Sequence, residues 1–159
     1  MPPRLQEIRG APSGNYVDVV NNDSGCWSYV GMWGNRQELH LGNGCFDSST
    51  IEHEFLHALG VHHEQNRPDR DQFVDILWDN IKPDSLPEDC YSCNFEKKGS
   101  SVVLGYGPYD FGSVMHYSDK AFSRNGRKTI RGKKCSCFGR ADGMSEADSD
   151  KLKHMYNCP

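Results

Sequence analysis

The sequence predicts an α+β domain, with a small strand-rich half, a helix carrying paired histidines, a mostly irregular half and a C-terminal helix. Three observations predict it. Three short strand-like runs lie between Tyr16 and Leu41. Helical spacing starts near Thr50 and again after Ser145. Between the two helices, residues 79–112 are polar and show no sustained period.

Residues 1–14 are rich in Pro, Gly and charge and form an irregular lead-in to a single domain spanning 1–159. Tyr16–Val20 alternates at Val17 and Val19 and is the first strand. After a turn, Cys26–Val30 places Cys26, Ser28 and Val30 on one face and Trp27 and Tyr29 on the other. Glu38–Leu41 is the next strand. Ser49 and Glu52 form a capping box that starts a helix near Thr50, and Ile51, Phe55, Leu56 and Leu59 give it a buried side. Ser145 and Asp148 cap the last helix, in which Leu152, Met155 and Tyr156 recur at helical spacing.

The chemistry is concentrated in Thr50–Glu64. His53 and His57 stand four apart, hence on one face of a helix, where two imidazoles can share one zinc ion. Glu54 follows His53 and is placed to take a proton from water activated by that metal. On a continued helix His63 would lie roughly 15 Å from His53, at about 1.5 Å rise per residue, too far to reach the same ion. Gly60 removes the difficulty, because glycine accepts the left-handed conformation that ends a helix and turns the chain back. Five fixed positions in H-E-x-x-H-x-x-G-x-x-H arise by chance on the order of 10⁻⁷ per start point. The alternative is a helix with incidental surface histidines.

That spacing is the zinc signature of the metzincin endopeptidases. His63–Asp71, with Ser113-Val-Met-His-Tyr117 and Ser24–Gly31, resembles the astacin family specifically. The resemblance runs from about Ser24 to Cys158. It implies a metzincin-type domain, with a small twisted sheet and the zinc helix above a cleft and a mostly irregular half below.

The resemblance also implies roles. Glu38, Leu39, His40 and Leu41 correspond to a strand that edges the cleft and pairs with an extended substrate, binding it through backbone hydrogen bonds. Met115 is the apolar floor under the three imidazoles. Tyr117 is a fifth zinc ligand that swings away to hydrogen-bond the oxyanion during catalysis. Glu64 resembles the residue that contacts the N-terminus of a processed enzyme; its plainer role is pairing with Arg67 or Arg70. Thr129-Ile130 matches the family segment beside the pocket that follows the scissile bond. Arg131 then sits at the rim and receives Asp or Glu, unless this basic loop is merely solvated. Cys26 and Cys45 match a family disulfide. Cys158 matches half of a second one whose partner lies upstream, so it is expected to be unpaired.

Composition bounds the setting. With 18 basic and 22 acidic residues there is no basic patch pointing to nucleic acid. No apolar run approaches the ~20 residues needed to span a bilayer. Seven cysteines in 159 residues point to an oxidising, extracellular compartment. Met1–Ile8 has no signal-peptide core, so the expectation is a chain lacking its signal peptide, propeptide and an upstream part of the domain. Cys90, Cys93, Cys135 and Cys137 go beyond the family pattern. They either join two loops by disulfides, with three connectivities open, or hold a second zinc.

The expected function is therefore hydrolysis of peptide bonds in proteins by metal-activated water, using one Zn²⁺ on His53, His57, His63 and Tyr117. Glu54 and Tyr117 are the catalytic groups. A monomer is expected, with a disulfide-linked dimer through Cys158 as the complication. The alternative is a truncated, metal-binding pseudo-protease or interaction module.

Overall fold

The computed structural model describes residues 6–10, 12–22, 25–84, 90–99, 106–136, 138–139 and 141–158. Two compact units divide the chain, Met1–His62 with Asp142–Pro159, and His63–Ala141. Small sheets and two α-helices make it α+β, as the sequence predicts.

In the first unit β1 (Tyr16–Val20), β2 (Cys26–Ser28) and β3 (Arg36–Leu41) form a sheet of order β1-β3-β2. β1 runs parallel to β3 with Val17 opposite Gln37, and β2 runs antiparallel with Trp27 opposite His40. β3 thus has a strand on each side, and Gln37, Leu39, His40 and Leu41 are all buried. Helix α1 (Ser48–Ala58) lies against this strand: Ile51, Phe55 and Ala58, at helical spacing, pack on Leu39, Leu41 and Cys45. The Cys26–Cys45 disulfide ties the start of β2 to the approach to α1, with Cα atoms 5.7 Å apart.

The cap of α1 differs from the expected one. Asp47 is the N-cap, its Oδ1 accepting from Thr50 N–H at 2.9 Å and from Ser49 Oγ at 2.5 Å. Asp47 has an extended backbone, as a cap requires, whereas Ser49 already lies inside the helix. Glu52, released from the capping box, accepts from Met144 N–H at 2.5 Å. Helix α2 (Glu146–Met155) does open with the reciprocal Ser145–Asp148 box. It returns to α1, where the Tyr156 hydroxyl donates to Leu59 O at 2.9 Å.

The second unit has little regular structure. β4 (Val74–Ile76) and β5 (Ile130–Gly132) pair antiparallel around a core of Val74, Ile81, Phe95, Tyr109, Ile130 and Phe138. Buried polar side chains take the place that strand ladders fill elsewhere. Asn66 Nδ2 donates to Asn94 O at 2.9 Å and to Glu96 O at 2.7 Å. Arg70 Nη1 donates to Gln65 O at 2.9 Å and also to Phe95 O. Both side chains satisfy backbone carbonyls that no strand partner reaches.

A second disulfide joins Cys90 to Cys93, within one loop. The bridge closes locally, so these two thiols neither staple the distant loops nor join a four-cysteine zinc site. Cys137 lies outside the described residues, as do residues 1–5 of the lead-in.

Candidate metal centre

His53, His57 and His63 each offer one ligand atom, and the three atoms lie within 4.8 Å of one another. The i, i+4 spacing on α1 sets the first two, whose rings meet edge-to-face at 4.7 Å. Gly60 has φ +94°, the left-handed region that ends the helix and redirects the chain to His63.

The donor set suits a metal. His57 Nδ1 lies 2.8 Å from Val61 O. A carbonyl can only accept, so Nδ1 carries the proton and Nε2 keeps its lone pair outward. Burial, then the neighbouring His53, bring the His57 pKa down to about 4, so the ring is neutral at pH 7, the form that ligates.

Glu54 is 5% exposed, and burial pushes its pKa up to about 7. Its Oε2 is buried with no hydrogen-bond partner among the described residues. A buried carboxylate oxygen with no partner, one residue along the chain from His53, is costly to keep unless a ligand engages it. A base with a pKa near the working pH is also the most effective proton acceptor.

Tyr117 follows in the second unit, its ring 4.3 Å from that of His63, centroid to centroid. Met115 is fully buried and its carbonyl accepts from Glu64 N–H at 3.0 Å, one residue past His63. Glu64 pairs with Arg67: Oε1 accepts from Arg67 Nη1 at 3.2 Å and from Asp110 N–H at 2.9 Å, with the side chain buried.

The strand expected to edge the cleft is not an edge strand. Glu38, Leu39, His40 and Leu41 lie on the middle strand: Leu39 and His40 face partners in both β1 and β2, Glu38 faces β1 and Leu41 faces β2. His40 is held between Glu38 Oε2 at 2.7 Å and Asn22 Oδ1 at 3.0 Å, under the Trp27 ring at 3.8 Å. The outer strands of this sheet are β1 and β2, and the one that runs antiparallel to β3 is β2. Just beyond it Gly31 N–H donates to His57 O at 2.8 Å. Arg131, largely exposed, pairs with Asp75 of β4, Nη2 to Oδ2 at 2.8 Å.

Sequence reasoning missed Gln65. It is fully buried and its Oε1 accepts from Tyr117 N–H at 3.1 Å. Its place between His63 and Arg67 was the only signal, and spacing alone gives a lone glutamine no role.

Among the described residues no helix is long and apolar enough to cross a membrane. Comparison with known proteins agrees with the geometry. The family model Astacin, which describes a family of peptidases, matches residues 5–157. Zinc metalloproteinase nas-15 of Caenorhabditis elegans is 43% identical over 147 residues, covering 91% of this chain and 24% of that protein. Meprin A subunit beta of Mus musculus is 43% identical over 150 residues, covering 91% of this chain and 20% of that protein. Among solved structures, high choriolytic enzyme 1 of Oryzias latipes, a hatching enzyme zinc-protease, superposes with a TM-score of 0.82. It is 38% identical over 96% of this chain and 74% of that one. The chain spans 24%, 31% and 37% of the length of three curated relatives it matches. With a family match over nearly its whole length, the chain belongs to the astacin family of peptidases.

Proposed function

We propose that this chain is the catalytic domain of an exported zinc-dependent endopeptidase that cleaves proteins or peptides. The observation that carries the reading is the buried Glu54, with an orphaned oxygen, next in the chain to a triad of histidine ligand atoms. His53, His57 and His63 hold one Zn²⁺, with Tyr117 as a further ligand at rest. Bound there, zinc supplies Lewis acidity, lowering the pKa of water from ~15.7 towards ~7 and polarising a carbonyl.

The chain's own residues do the rest. Glu54 accepts a proton from the attacking water and delivers it to the leaving amine. The Tyr117 hydroxyl donates to the oxyanion of the tetrahedral intermediate. An extended substrate adds to the open side of β2, where backbone pairing holds it without demanding one side-chain sequence. Two disulfides among the described residues support export to an oxidising compartment.

Glu54→Gln tests the mechanism. It keeps zinc bound and lowers peptide hydrolysis by at least ~10²-fold, the low end for a general base. Undiminished turnover in the zinc-loaded variant would remove Glu54 from the reaction.

A further inference from the structure

Buried side chains hold the backbone of Tyr117 on both sides. Its N–H donates to Gln65 Oε1 at 3.1 Å. Its carbonyl accepts from His116 Nδ1 at 2.7 Å. The other nitrogen of His116, Nε2, lies 2.8 Å from the Tyr109 hydroxyl. Because the carbonyl only accepts, His116 carries its proton on Nδ1, and the Tyr109 hydroxyl donates to Nε2. Gln65 is fully buried, His116 is 4% exposed and Tyr109 is 7% exposed.

The arrangement has a cost that identifies its purpose. Gln65 Nε2 is buried with no partner among the described residues. Methionine would fill a similar volume without leaving a donor unmade. What glutamine supplies and methionine does not is the Oε1 acceptor for Tyr117 N–H. Gln65 also stands two residues after His63, whose ring lies against that of Tyr117. A drifting Tyr117 peptide would therefore be felt beside the third imidazole as well as at the phenol.

We propose that Gln65 is a positioning residue for Tyr117, clamping its peptide opposite His116. With the backbone fixed, the phenol moves by its own side-chain torsions alone, between rest and the oxyanion. The proposal rests on the reading of Tyr117 as the oxyanion donor.

The test uses the zinc-loaded full chain carrying Gln65→Met. The kcat on a peptide substrate falls about 10-fold with KM unchanged, a size fitting slight misplacement of a catalytic group. Zinc content stays the same, and Gln65→Glu, which keeps an acceptor oxygen, retains more of the kcat than Gln65→Met. In a Tyr117→Phe background, Gln65→Met costs less than about 2-fold, because a residue acting through Tyr117 has little left to act on. Additive losses would overturn the proposal.

Hydrogen exchange gives a readout independent of activity. The Tyr117 amide is protected in the unmodified protein, and Gln65→Met selectively accelerates its exchange. An unprotected Tyr117 amide in the unmodified protein overturns the clamp, whether or not the variant folds. Should Tyr117→Phe alone leave kcat intact, the oxyanion role fails, and amide exchange still decides whether Gln65 holds the peptide.

Discussion

Arg131 donates twice to one oxygen of Asp75, Nη2 to Oδ2 at 2.8 Å and Nε to the same atom at 3.2 Å. The two residues are register partners across β4 and β5, and Lys133 Nζ reaches Asp75 Oδ1 at 3.3 Å. Hydrogen bonds from Arg131, then Lys133, hold the Asp75 carboxyl below its ordinary pKa, so the pair is ionised at neutral pH.

An engaged guanidinium makes a poor receptor for a substrate acid. Arg131→Ala is accordingly expected to leave cleavage preferences unchanged. Profiling a peptide library with both proteins checks this. Loss of an Asp or Glu preference just after the cut bond in the variant would place Arg131 at the substrate pocket.

Asn66 allows a sharper stability prediction. Its buried amide is the shared donor for Asn94 O and Glu96 O. Asn66→Ala removes two hydrogen bonds and strands two carbonyls, for a loss of about 2–3 kcal/mol. Thermal melting is expected to drop by about 4–12 °C, at roughly 2–4 °C per kcal/mol for a chain this long. Asn66→Asp is worse, because a carboxylate would face two carbonyl oxygens. An Asp variant as stable as wild type would mean that this loop is held some other way.

The N-cap of α1 gives a pH prediction. Hydrogen bonds from Ser49, then Thr50, bring the Asp47 pKa down to about 2, against about 3.9 in an unfolded chain. A depressed folded pKa means the contribution is complete above about 4 and disappears as pH falls to about 2. Asp47→Asn cannot titrate. The melting-temperature gap between the two proteins, measured metal-free, is expected to be constant above pH 5 and to change between about 4 and 2. A gap that stays flat through that window would show that the Asp47 charge contributes nothing.

Parts of this molecule are legible in the sequence because they depend on local geometry. His53 and His57 are brought together by the helix period, and Gly60 by a backbone conformation that few other residues tolerate. The Ser145–Asp148 cap is local too, and it forms. At α1 two local solutions competed, Asp47 and Ser49, and a pattern search takes whichever has Glu three residues on. Contacts set by distant pairing were not legible. Glu38–Leu41 reads as a strand, but its central place depends on β1 arriving parallel, twenty residues earlier in the chain. Arg131 reads as an unpaired cation until Asp75, remote in sequence, arrives beside it.

The cysteines show the same division, and their energetics can be measured. Cys26 and Cys45 close a loop over a separation of 19 residues, Cys90 and Cys93 over only 3. On the chain-entropy account, a bridge stabilises by restricting the unfolded chain, so the longer loop contributes more. The expected values are about 3 kcal/mol for Cys26–Cys45 and about 2 kcal/mol for Cys90–Cys93. Replacing both members of each pair by alanine and unfolding in urea would compare them. Cys45 is fully buried, so its replacement also loses packing and widens the gap. Peptide mapping without reductant is expected to recover both bridges and to find Cys158 alkylated. A Cys90–Cys93 deletion costing as much as the Cys26–Cys45 deletion would mean that the small bridge works in the folded state. It would then be bracing the turn that carries Phe95 into the core.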